Sequence, residues 1–129
     1  MTMMMRAALF LLLLATASSC GRKEPPPHAA TAGDVVSGAY AYGHNVNTLR
    51  PCGAAEVLWV EAPPQVLAHL EREYAVKATR AFEPVHLTAR GRRESPPAEG
   101  PGAAYAGRFV MTELIAMRPL TPGECGDTR

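Results

Sequence analysis

The chain has 129 residues, with 13 basic residues against 12 acidic ones, a formal charge of +1 and three cysteines. That length suits one small domain. A balance this near neutral lacks the broad positive surface that binding to a phosphate backbone draws on. The local basic cluster, Arg90, Arg92 and Arg93, reads as a solvated strand end, so no nucleic-acid partner is expected.

The first residues read as a targeting segment. Met1 to Arg6 carries one positive charge, and Ala7 to Ala15 is an apolar run. This run is too short to span a bilayer as a helix and has the length of a signal-peptide core. Thr16-Ala17-Ser18-Ser19-Cys20 follows. Small residues ending in cysteine resemble the lipobox of bacterial lipoproteins, with Ala17 where that family usually has Leu. The resemblance implies cleavage before Cys20 and a diacylglycerol on its sulfur. Two or more acyl chains hold a protein stably on a membrane. An ordinary secretory leader cut after Ala17 is the alternative, and it leaves Cys20 as a stray thiol. By the same resemblance, Gly21 in place of Asp points to the outer membrane, with the domain facing the periplasm. The division expected is 1–19 leader, 20–33 lipidated Cys and tether, and 34–129 folded domain. Without Arg6 the mature chain carries 12 basic and 12 acidic residues.

The tether contains Pro25-Pro26-Pro27, a semi-rigid spacer. The folded part begins near Asp34. Val35 to Tyr42 alternates, with Val36, Tyr40 and Tyr42 on one face. This predicts a strand, with Gly38 at a bulge or a close backbone approach. Gly43-His44-Asn45 carries turn chemistry. Val46 to Leu49 reads as a second strand, stopped by Pro51-Cys52-Gly53, and Glu56 to Val60 as a third, with Trp59 at the edge of the core. Pro63-Pro64 opens a helix. Val66, Leu67, Leu70 and Tyr74 fall on one face of it, which places the helix at Pro64 to Lys77. Glu73 and Lys77 are spaced as a favourable i,i+4 pair.

Val85, Leu87 and Ala89 alternate with His86, Thr88 and Arg90 and predict a fourth strand. Ser95 to Gly102 is rich in Pro and Gly and reads as a mobile loop. Arg108 to Met117 is ambiguous in propensity. Its Val, Ile, Thr and Phe content and the preceding Gly107 favour a long strand, with room for a bulge. Three strands, a helix and two strands make a mainly β chain. This is the element order of an OB fold, a five-stranded Greek-key barrel with a helix between strands 3 and 4.

With Cys20 assigned to lipid, Cys52 and Cys125 remain as an even pair in an exported protein. A disulfide is the default, and a redox-active or metal-binding pair the alternative. A metal reading would combine His44, His86 and reduced Cys52. None of these shows the short ligand spacing of a zinc motif, so no metal and no cofactor are expected. The Met1, Met3, Met4 and Met5 run belongs to the leader, while Met111 and Met117 read as core. Ser37 and Ser95 have no His near them in sequence. Glu56, Glu61 and Glu113 could pair for glycoside chemistry but read as solvated strand ends. Tyr40, Tyr42, His44 and Trp59 form the candidate ligand surface, since OB barrels bind through one sheet face and its flanking loops.

Gly38 to Trp59 holds a Tyr-containing strand, Gly43-His44, then Leu49-Arg50-Pro51-Cys52-Gly53 and a Trp-containing strand. This stretch resembles small bacterial envelope lipoproteins. They are similar to the C-terminal OB-fold domain of the NlpE copper-homeostasis and adhesion-sensing lipoproteins. The resemblance covers residues 36 to 120 in element order. It implies an OB barrel, a membrane-anchored location and a partner-binding surface, and it fits a disulfide between Cys52 and Cys125. NlpE-type proteins also carry an N-terminal barrel with a C-x-x-C motif. Neither is found in these 129 residues, so the copper role of that half is not carried over. The expectation is a non-catalytic lipoprotein held to the membrane through Cys20. It would bind an envelope protein or glycan, or contribute to envelope sensing. A periplasmic metal-tolerance protein is the alternative, and an enzyme of cell-wall glycan a third.

Overall fold

The computed structural model describes residues 33–126. The leader and all of the tether except Gly33 lie outside the described residues, as do Cys20 and residues 127–129. Five strands and one helix follow in the order β1 (Asp34–Gly43), β2 (Val46–Pro51), β3 (Leu58–Glu61), α1 (Pro64–Lys77), β4 (Val85–Glu94) and β5 (Gly107–Pro119). Single-turn 3-10 helices occupy Pro101–Ala104 and Glu124–Gly126.

The strands close into a barrel in the order β1-β2-β3-β5-β4. Every pairing is antiparallel except β3 with β5. Closure removes the open edges that would otherwise template pairing with another chain. β1 serves two neighbours, since Ala39 is opposite Arg50 of β2 and His86 of β4. Gly38 allows this crowding: a Cβ there would lie 2.4 Å from the Arg50 carbonyl oxygen. The expected close backbone approach at Gly38 is therefore present.

The period-2 pattern of the strands fills the barrel. Tyr40, Leu49, Leu58, Val60, Val85, Leu87, Ala89, Phe109 and Met111 are all buried in one cluster. Met117 joins them, so both mature-chain methionines read as core are core. β5 does not keep a clean alternation. Against β4 its register steps over Ile115 and again over Thr112. These bulges explain the ambiguous periodicity of that segment, because each shifts the inward face by one residue. At the second bulge Thr112 Oγ1 donates to the Arg90 carbonyl at 3.2 Å.

Helix α1 starts where its prolines place it, with Pro64 in the first turn, and runs to Lys77. Its apolar face puts Leu70 and Tyr74 into the core. Tyr74 meets Tyr40 and Tyr42 edge to face, with ring centroids 5.7 and 5.9 Å apart. Such pairs add to simple burial because ring edges and faces carry opposite partial charge. On its outer side Glu73 lies 3.9 Å from His69, one turn back.

Tyr40 and Tyr74 are buried and Tyr42 half-buried, and each phenol finds a partner. Tyr40 Oη donates to Asn47 Oδ1 at 2.7 Å, and Asn47 Nδ2 donates on to the Val60 carbonyl at 3.1 Å. Tyr42 Oη donates to Glu71 Oε1 at 2.5 Å, and Tyr74 Oη to the Glu83 carbonyl at 2.7 Å. Replacing Tyr40 by Phe strands the buried Asn47 oxygen. The expected cost is about 1–3 kcal/mol, read as a lowered urea midpoint with an unchanged slope.

Candidate functional site

The expected ligand surface divides when the chain folds. Tyr40 corrects the expectation: it is fully buried, and its ring and hydroxyl belong to the core network. Burial pushes its phenol up out of reach of ordinary titration. Tyr42 is half-buried against α1, and its hydrogen bond to Glu71 raises its pKa. His44 sits exposed in the β1–β2 turn, its Nε2 3.3 Å from Asn45 Nδ2. Asn45 takes a φ of 55° to make that turn.

Trp59 lies between buried Leu58 and Val60 in β3. Alternation therefore turns it to the outer wall of the barrel rather than to the core edge. There it meets Tyr105, with ring centroids 5.8 Å apart and planes tilted by 36°. Both rings are half-exposed. The Pro101–Ala104 turn brings Tyr105 to this wall, and a Cβ on buried Gly102 would lie 2.6 Å from the indole. The loop read as mobile thus contains an ordered turn packed on Trp59. Tyr105 was not among the sequence candidates. Its signal would have been an aromatic inside a Pro/Gly-rich loop, which pays no core role.

The charged candidates are engaged with one another. Glu56 pairs with Arg93, Glu113 with Arg90 at 3.3 Å, and Glu61 with Arg108 at 3.1 Å. Arg92 meets Glu94 at 2.8 Å, and Arg108 Nε also lies 3.2 Å from Glu94. The basic cluster is therefore matched by carboxylates, and the three glutamates considered for glycoside chemistry each face an arginine. Ser37 Oγ is 3.0 Å from Thr88 Oγ1 across β1 and β4.

A second centre lies at the far side of β1. Cys52 follows β2, and its N–H donates to the Ser37 carbonyl at 2.9 Å. Cys125 sits in the Glu124–Gly126 turn with a φ of 58°. A disulfide joins the two. His86, on β4, brings a ring nitrogen beside the disulfide: the three donor atoms lie within 4.8 Å of one another. Of the three residues weighed as ligands in the sequence, His86 and Cys52 come together here with Cys125, and His44 lies elsewhere in the β1–β2 turn. Glu124 anchors the turn. It pairs with Arg118, accepts the Thr121 N–H at 2.9 Å and approaches His86 Nε2 at 3.8 Å. The Arg118 guanidinium and the Thr121 N–H hold the Glu124 carboxyl down at about 2.

A closed five-stranded barrel in this strand order, with a helix between β3 and β4, is an OB fold. The family model of the NlpE C-terminal OB domain matches residues 30–122. The chain belongs to that family, whose setting is the cell envelope. No curated protein and no solved structure matches it significantly.

Proposed function

We propose that this chain is a lipid-anchored lipoprotein, facing the periplasm from the outer membrane, whose barrel binds another envelope component without catalysing a reaction. The observation that carries the reading is the NlpE-type domain over residues 30–122, directly behind a Pro-rich tether and a lipobox-like Cys20. Among the described residues no helix is long and apolar enough to cross a membrane.

Two features of the barrel support binding rather than chemistry. Its interior is filled by side chains, and the carboxylates weighed for catalysis are tied to arginines. Trp59 and Tyr105 offer the contact face. A Trp–Tyr pair on an outer wall presents rigid apolar area at low entropic cost, the type of anchor that dominates protein interfaces and sugar stacking.

In-cell cross-linking followed by identification of the captured molecule tests this. The wild-type lipoprotein is expected to give a discrete adduct, and Trp59→Ala or Tyr105→Ala to lose it while the barrel still unfolds cooperatively. An adduct equally strong in both variants would remove that face from the proposal.

A further inference from the structure

We infer that Cys52, Cys125 and His86 form a redox-gated site for a thiophilic d10 cation of the zinc type, shut while the sulfurs are bonded to each other and opened by a dithiol reductant. The inference goes beyond the binding role proposed above and does not depend on it.

Three segments far apart in sequence deliver one ligand atom each to a common point, all within 4.8 Å of one another. Tetrahedral zinc with bonds of about 2.3 Å to sulfur and 2.0 Å to nitrogen sets sulfurs about 3.8 Å apart and sulfur from nitrogen about 3.5 Å apart. Once the disulfide is cleaved, sub-ångström to ångström side-chain shifts bring the three atoms to those separations. Two thiolates and one imidazole leave the fourth position to water, the arrangement of an open zinc site.

The ligands stay in place without the disulfide because each has a second tether. His86 is held in the barrel wall, opposite Ala39 of β1 and Arg118 of β5. Cys52 is fixed by its backbone bond to Ser37. The Cys125 turn is held by Glu124, through Arg118 and the Thr121 N–H. An open cavity of about 380 Å³, lined by Arg50, Gly53, Ala54, Ala55, Cys125 and Gly126, gives solvent a path to the Cys125 side. Glu124 Oε1 lies 3.8 Å from His86 Nε2, which sets a carboxylate beside the ligating ring.

The chemistry balances in two steps. A dithiol donor passes two electrons and two protons to the Cys52–Cys125 bond, leaving two thiols here and a disulfide on the donor. The cation then displaces both thiol protons to solvent and takes the neutral imidazole lone pair. In the reverse step a disulfide oxidant takes two electrons from the two thiolates and two protons from solvent, becoming a dithiol, while the Cys52–Cys125 bond re-forms and the ion leaves.

The test uses the full chain carrying Cys20→Ser, purified in detergent, so that only Cys52 and Cys125 supply thiolate. It is titrated with Zn2+ against a chromogenic chelator in two forms, as the disulfide and after anaerobic phosphine reduction. Co2+ serves as the spectroscopic substitute. The reduced protein is expected to take one equivalent and to show a thiolate-to-cobalt charge-transfer band, while the disulfide form takes none. His86→Gln, reduced, is expected to bind at least about ten-fold more weakly, since loss of even an outer-shell partner costs that much. Circular dichroism of the reduced forms checks that the barrel persists. Equal binding by oxidised and reduced chain would overturn the site, and so would equal binding by reduced His86→Gln. Absence of stoichiometric binding, or binding only by a chain that has lost its strand spectrum, would overturn it as well.

Discussion

Replacing Leu70 by alanine is expected to lower the stability of the barrel by about 2–5 kcal/mol, the range for deleting a buried leucine side chain. Leu70 has no exposed surface and lies in the core cluster with the barrel strands. The α1 residue Arg72 is exposed, and Arg72→Ala is expected to cost under about 0.5 kcal/mol. Urea unfolding of the two variants beside the wild type makes the comparison. Equal shifts in the midpoint would mean that α1 does not cap the core.

The second large effect belongs to the link between Cys52 and Cys125. It spans 73 residues and encloses β3, α1, β4 and β5. Opening it frees the unfolded chain more than the folded one and is expected to cost about 4 kcal/mol on the loop-closure account. The Cys52→Ser, Cys125→Ser double variant should show this as a lower denaturation midpoint. Thiol alkylation of the native protein without reductant should label neither cysteine, whereas full labelling of both would place them as free thiols. The Arg118–Glu124 contact and the backbone bond of Cys52 stay in the double variant, so the barrel is expected to remain folded with a smaller margin.

Helix α1 was legible in full because its signals are local: two prolines at its start and one apolar face at 3.6-residue spacing. The order of elements along the chain followed from alternation and turn residues. Chain-order reading was weakest where neighbours decide. The Tyr40 phenol looked available for a ligand, yet its partner Asn47 waits across the hairpin, and no sequence pattern announces a buried hydrogen bond. Trp59 and Tyr105 meet through a turn inside a Pro/Gly-rich loop, where composition signals irregularity but not order. The grouping of Cys52, His86 and Cys125 depends on the register of β1 with β2 and β4. The residues could be suspected singly, but the meeting of Cys52 and His86 with Cys125 rather than His44 required the fold. β5 hid its strand character because the bulges at Thr112 and Ile115 break the alternation a reader counts.

Attachment of the domain to the membrane by lipid on Cys20 is tested most directly by the intact mass of the protein extracted from cell membranes. The predicted result is a chain that starts at Cys20 with acyl chains on it, and a Cys20→Ala variant that fractionates as soluble protein or unprocessed precursor. A membrane-bound Cys20→Ala variant, or a native chain cut after Ala17 without lipid, would contradict the account.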